Sequence, residues 1–555
     1  MKRITLISFF SFLVAILIVF SASFALARNK VLSLDGDGDY VEISDAISLQ
    51  LPDSLTMEAW ILQRAVHSVT PFVIYKRFAY GFAVGNNTIY HFFYRDESSH
   101  VDKFIPVTIE RGIWNHIAVT LDNDGTVKAY FNGSLIDTDF RVVPINITGI
   151  LNIGRAPFGA YYFDGLIDEL RIWNVARTQE EIQGNMDKPL ENPKSELNLV
   201  GYWNFDEGTA DDLSQYENNG ELQGDAYIAD VIYVSSEYGS PGGDGTKEDP
   251  YDTIQRGINE AGWKDIVQAL PGTYTENINL RSDLILLGSG IENTTITAAS
   301  GNIVTANNVH NVSFSGFTID GQGSADNGIV CSGTTSEMEI SNNIITDATT
   351  GFQCLDSVEV SIEENTIYQN ITHGIYCAGT SVVKIGKNST EANGSYGIMC
   401  EGQTNTSITE NFVCQNWRGI FCGQDAVIVI EENEIQANDY AIHCVGSTQV
   451  DILSNHIANN RNGIDCHNAP KVNIAENLIH SNNWAILGYD SSYLLIARNI
   501  IKHNLEGGIY CGEYWDDSFE LIIGGSLVNA NYIIDNTWRA VWNRTEKVIN
   551  ATYNY

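Results

Sequence analysis

The sequence predicts an all-β chain of two domains, an antiparallel β-sandwich followed by a right-handed parallel β-helix. Three observations predict it. Short runs of alternating apolar and polar residues begin at Val31 and continue for about 200 residues. Two residue ladders repeat every 22 or 23 positions through the C-terminal half. Between them lies a turn-rich stretch, Gly239 to Thr246, followed by one short amphipathic segment. At 555 residues the chain also exceeds the length at which a single core keeps growing.

The first residues, Met1-Lys2-Arg3, precede an apolar run from Ile4 to Phe20 and a small-residue end, Ala25-Leu26-Ala27. That three-part pattern predicts a secretory signal over residues 1–27, with an uncleaved anchor as the alternative. Either leads to a secreted or cell-surface protein. No later segment has transmembrane length, so no membrane span is expected after signal cleavage. The formal charge of -38 opposes nucleic acid and anionic lipid. Neutral glycans, or anionic ones bridged by calcium, fit such a surface better.

The first domain is placed at residues 30–228. Met57-Glu58-Ala59-Trp60-Ile61 and Lys128-Ala129-Tyr130-Phe131 alternate with a period of two, which is the pattern of half-buried strands. Asp122-Asn123-Asp124-Gly125 and Asn132-Gly133 supply hairpin turns. The motifs Leu32-Ser33-Leu34-Asp35-Gly36, Met57-Glu58-Ala59-Trp60, Trp114-Asn115-His116-Ile117-Ala118-Val119, Ile167-Asp168-Glu169-Leu170-Arg171-Ile172-Trp173 and Gly201-Tyr202-Trp203-Asn204-Phe205-Asp206 follow in order. Together they resemble the laminin-G-like branch of the concanavalin A-like lectin and glucanase superfamily. The resemblance implies a jelly-roll sandwich that binds sugars or protein surfaces and carries a structural calcium. Asp168 and Asp35 are the expected metal ligands, against the plainer role of capping turns. The paired acids of the superfamily's glucanases are missing, so this domain is expected to bind rather than cut. His116 lies in a strand motif and is expected to pack.

The second domain is placed at residues 231–555. Thr253 to Ala261 reads as one helix plugging the open end of a solenoid. Leu270-Pro271-Gly272-Thr273-Tyr274 then resembles the first coil of pectin-lyase-like proteins. A Gly-Ile-x-Cys motif places Cys331, Cys354, Cys377, Cys400, Cys422, Cys444, Cys466, Gly488 and Cys511 in one column. A second column runs Asn343, Asn365, Asn388, Asn411, Asn433, Asn455, Asn477 and Asn499. Both columns should face inward. Nine cysteines in an exported chain suggest disulfides. However, stacked coils lie about 4.8 Å apart and a disulfide needs Cβ atoms about 3.8 Å apart, which favours buried free thiols. Cys414 falls outside the column, at a turn where it is expected to be accessible.

Chemistry on such a solenoid needs outward side chains on neighbouring coils. The outward rows contain Tyr376, Phe421, His443, Asp465, His467 and Tyr489, an aromatic stripe beside an acid-imidazole cluster. Rings stack on sugar faces, and His with Asp moves protons. These six are the candidate carbohydrate-binding residues, and Asp465, His467 and His443 the candidate catalytic ones, with a merely solvated stripe as the alternative. Asp465-Cys466-His467 resembles the Asp-Pro-His triplet of β-helix uronan epimerases, with Cys in the middle position. Arg418 and Lys471 look isolated. The terminal Val548 to Tyr555 reads as an unfinished coil motif, so the domain is expected to be truncated.

The function expected from sequence is an exported carbohydrate-binding or adhesive surface protein, with the sandwich as recognition module on a solenoid scaffold. A polysaccharide or cell-surface glycan, or a protein, is the expected partner. The alternative is a polysaccharide lyase, epimerase or glycoside hydrolase acting in the solenoid groove.

Overall fold

A computed structural model describes residues 29–544, apart from 65–69, 86, 97–98, 110, 141–147, 160, 469–470, 490–492, 513–519 and 525–529. The expected signal segment and the terminal coil motif lie outside the described residues. No described helix is long and apolar enough to cross a membrane. The chain divides into two compact units, one holding most of residues 1–252 and the other residues 253–555 with two short earlier segments.

The first unit is a sandwich of antiparallel strands. Lys30–Asp35 pairs with Asp164–Trp173 on one side and with Tyr227–Val234 on the other. That last strand runs through the 228/231 junction expected from sequence, and its apolar residues Ala229, Val231 and Ile232 all bury. The hairpins form where expected, with Gly125 at φ +88° and Asn132 and Gly133 at φ +48° and +72°. A second sheet contains Phe72–Lys76, Tyr80–Gly85, Thr88–Asp96 and Ser99–Pro106. Leu34, Ile61, Phe82, Phe93, Ile172 and Trp203 meet between the sheets in one core. His116 is buried, 3.6 Å from the buried Glu58 carboxylate and edge-on to Trp60. It packs, as expected. The helix Gln179–Asn185 starts at a capping box, in which Thr178 and Glu181 satisfy each other's backbone N–H.

The second unit is a parallel β-solenoid of about 11 turns. Its helix, Ile254–Glu260, buries Ile254 and Ile258, and Glu276 caps it by accepting from the Ile254 and Gln255 N–H groups. The cysteine column is in register through the stack, Cys377 opposite Cys400, then Cys422, Cys444 and Cys466. All nine cysteines are free and buried. Cys414 is 5% exposed and not accessible, because Glu391 and Gln436 stack on either side of it. Burial pushes its thiol up to about 11.

The asparagine column hydrogen-bonds to itself. Asn411 Nδ2 donates to Asn433 Oδ1 at 2.9 Å and Asn433 Nδ2 to Asn455 Oδ1 at 2.9 Å, while the same amide groups donate to main-chain carbonyls. A second column does the same at the next corner: Asn370, Asn393, Asn416, Asn438, Asn460, Asn482 and Asn504. Each corner thereby satisfies main-chain groups that a bend leaves unpaired. The glycine of the repeat is needed for close approach: a Cβ on Gly397 would sit 2.7 Å from the Gly419 carbonyl oxygen.

Candidate functional site

Strand alternation points the residue before each cysteine out of the solenoid, and stacking places equivalents side by side. Tyr376, Met399, Phe421, His443, Asp465, Leu487 and Tyr510 therefore form one row. A second row comes from the start of the same strands: His373, Tyr396, Arg418, Tyr440, Asn462 and Trp484.

These two rows and a third, just after the cysteine position, that holds His467 and Tyr489 interleave into one chain of rings. Starting at Tyr376, it runs through His373, Tyr396, Phe421, His443, His467, Tyr489 and Tyr510 to Trp542. Successive centroids lie 5.5, 5.1, 5.3, 5.5, 5.7, 4.4, 5.3 and 5.2 Å apart. At about 4.8 Å per coil this stripe extends roughly 34 Å along the solenoid. Five of the six expected glycan contacts, Tyr376, Phe421, His443, His467 and Tyr489, are members of the chain. The sixth, Asp465, sits against it.

At the middle of the stripe lies the acid-imidazole cluster. One ligand atom from each of His443, Asp465 and His467 falls within 4.8 Å of the others. Asp465 is 3% exposed although it points outward, because the neighbouring rings cover it. Its Oδ1 is buried without a directed hydrogen bond, and His467 Nε2 lies 2.5 Å away. His467 in turn stacks on Tyr489 with planes 11° apart.

Arg418 is not isolated, contrary to its appearance in sequence. Its Nε donates to His443 Nδ1 at 2.7 Å, and its Nη1 donates to the Tyr396 hydroxyl at 3.1 Å. The guanidinium lies 3.7 Å from the Trp417 ring centroid and 5.4 Å from that of Tyr440. Alternation on the Gly-Ile-x-Cys strand brings only the row beside the cysteine to attention. The signal for the second row was a column of His, Tyr, Arg, Tyr and Trp four residues before each cysteine position.

The proton inventory follows from this bond. A guanidinium only donates, so His443 Nδ1 accepts, and the neutral ring carries its proton on Nε2. Burial, with smaller contributions from Arg418 and His467, lowers His443 to about 4 against the attraction of Asp465. The same bond opposes metal ligation by the trio, since one His443 nitrogen is taken and the other is protonated. Proton transfer suits the arrangement better.

The expected metal pair does not form. Asp35 is opposite Asp164 and Leu32 opposite Ile167 on the same ladder, so Asp35 and Asp168 are separated by about 13 Å of strand. Asp35 instead groups with Asp39 and Asp225, where Asp39 accepts from the Asp35 and Asp225 N–H groups. Asp168 groups with Glu169 and Asp206. Burial, then the charges of Glu169 and Asp206, push its carboxyl well above the usual range. The Glu169 carboxylate is already taken by the Arg171 guanidinium and the Tyr202 hydroxyl, so these three acids do not converge on one point as Asp35, Asp39 and Asp225 do.

Residues 35–183 match the family model of the concanavalin A-like lectin/glucanases superfamily, and residues 281–413 and 418–554 match that of the right-handed beta helix region. The chain joins a concanavalin A-like domain to a right-handed β-helix. No curated protein matches it significantly. Among solved structures, a Bacteroides ovatus protein provisionally named as carbohydrate binding is 20% identical. That match covers 37% of this chain and 60% of the other, with a TM-score of 0.30. The A-modules of two Azotobacter vinelandii mannuronan C-5 epimerases are 18% and 17% identical. They cover 54% and 58% of this chain and 94% and 99% of their own, with TM-scores of 0.46 and 0.45.

Proposed function

We propose that this is an exported polysaccharide-binding protein, secreted or at the cell surface, in which a glycan chain lies along the solenoid groove and the sandwich is a further recognition module. The observation that carries this reading is the unbroken chain of nine rings from Tyr376 to Trp542. A sugar ring offers an apolar C–H face to an aromatic ring and hydroxyls to polar groups at its edge. A row of rings repeating with every coil offers that pairing to successive units of a polymer.

A second reading is favoured by the cluster itself. Asp465 is a buried carboxylate with an oxygen lacking a directed bond, placed between His467 and a neutral His443. Such groups serve as general acid and base, which suits a polysaccharide lyase, epimerase or hydrolase.

Both readings are tested by one experiment on the full chain: binding to neutral and uronic-acid polysaccharides with calcium present, with unsaturated products and reducing ends assayed together. Binding without turnover supports the adhesive reading. Turnover lost in Asp465→Asn and His467→Ala establishes an enzyme. Absence of both binding and turnover across the panel overturns the proposal.

A further inference from the structure

The sandwich carries a second aromatic site, on the face of its second sheet opposite the main core. Along Thr88–Asp96, Ile89 and Phe93 enter that core while Tyr90, Phe92 and Tyr94 belong to a separate cluster with Phe72 and Tyr75. The Phe72 ring meets Tyr75, Tyr90, Phe92, Phe158 and Tyr161 edge-on, at centroid distances of 5.4 to 6.2 Å and interplanar angles of 72° to 88°. These rings do not close over one another. They leave a cleft of about 540 Å³, and the Phe104 and Phe158 rings on its walls stay 59% and 49% exposed. Two exposed phenylalanines lining one concavity are a costly way to decorate a surface unless something covers them.

We propose that this cleft binds an uncharged sugar residue, separately from the solenoid groove. The inference rests on the reading of the chain as glycan-binding and adds a site and a ligand class to it. Three features select the ligand. The wall carries hydroxyls as well as rings, from Thr70, Tyr75, Tyr90, Tyr94 and Tyr161, which match the hydroxyl edge of a sugar whose C–H face packs on the phenylalanines. Burial and the neighbouring Asp102 carboxylate hold the Tyr90 hydroxyl protonated. Asp102 is also the one charged residue lining the cleft among the described residues, and the chain carries -38 overall, so an anionic sugar is repelled. A compact quaternary ammonium would suit the rings and the carboxylate. It would leave most of the volume empty, whereas small-ligand clefts of roughly 300–1,000 Å³ are filled by larger groups.

The test is calorimetric titration of the full chain with neutral oligosaccharides cut from glucan, xylan and mannan, with uronate oligosaccharides and choline as comparison ligands. At least one neutral oligosaccharide should bind, and Phe104→Ala and Phe158→Ala should each weaken it at least 10-fold. Both rings are exposed, so an unchanged melting temperature shows that the fold survives. Leu197→Ala, an exposed apolar residue of the sandwich that does not line the cleft, should leave this binding within 2-fold. Neutral binding that survives both phenylalanine variants but fails in Trp417→Ala overturns the cleft site and leaves the groove intact. Choline or uronate binding that depends on Phe158 overturns the ligand class. No heat from any neutral oligosaccharide overturns the cleft site, whatever the groove does with polymer.

Discussion

Arg418 Nε donates to His443 Nδ1 at 2.7 Å, and this one bond fixes which nitrogen of a buried histidine holds a proton. It also keeps a positive charge against a ring already penalised by burial. Replacing Arg418 by Met keeps much of the volume and removes the charge and the donor. The His443 pKa should then rise from about 4 toward the ordinary histidine value, while burial still holds it below 6.5. Titration of the ring proton by NMR checks it. An unchanged value would mean that burial alone sets the shift.

The same depressed pKa predicts how the solenoid responds to acid. The unfolded chain binds a proton at His443 near pH 6.5 and the folded chain only near 4. Stability from this group is complete above pH 6.5 and is lost as pH falls toward 4. The full difference is up to about 3 kcal/mol. Denaturant unfolding followed at the solenoid transition should show His443→Gln to be less acid-sensitive than the parent across that window. Identical pH slopes would refute the assignment.

In the groove, Trp417 is 47% exposed and holds Arg418 against its face, which makes it the most accessible ring beside the acid-imidazole cluster. Trp417→Ala should weaken binding of a long polysaccharide by about 10-fold, in keeping with ~1–3 kcal/mol for a stacked ring. The cluster geometry should persist, because Arg418 keeps its bonds to His443 and Tyr396. Equal affinity of parent and variant by affinity electrophoresis would remove this ring from the binding surface.

The architecture was legible because the repeat is strict: a cysteine column spaced 22 or 23 residues apart leaves little freedom in where a coil turns. Alternation then exposed the row containing Tyr376, Phe421, His443 and Asp465. The partners of that row were harder to see. Arg418 and Tyr440 sit four residues ahead of their cysteines, on the far side of Gly419 and Ala441, so alternation counted back from the cysteine does not reach them. The Asn370 column was equally regular in sequence but was overshadowed by the Asn343 column at the neighbouring corner. Asp35 and Asp168 were paired by resemblance, and the antiparallel register separates them. Distances along a ladder depend on which residue faces which, and motif order does not contain that.

The asparagine columns should behave as a cooperative network. Asn433 accepts from the Asn411 backbone N–H and Nδ2, and donates to the Ile408 and Glu431 carbonyls and to Asn455. Asn433→Ala strands several of these groups in a site that is 1% exposed. At about 1–3 kcal/mol for each buried group left unpaired, the loss should reach at least ~3 kcal/mol. Exposed Asn405→Ala is the control. A loss below 1 kcal/mol in denaturant unfolding would show that water repairs the corner.

The sandwich offers the opposite dependence on pH, and with it a test for calcium. Burial, with a smaller push from the Asp35 and Asp225 charges, raises Asp39 to about 6. A raised carboxylate binds its proton more tightly in the folded chain, so stability falls as pH rises through 6. A divalent cation held by Asp35, Asp39 and Asp225 would replace that proton and cancel the repulsion. Calcium should therefore raise the melting temperature of the sandwich at pH 7.5 by several degrees and have little effect at pH 5. Asp39→Asn should abolish the response. If chelator and calcium give the same melting curve at both pH values, the three carboxylates hold no calcium.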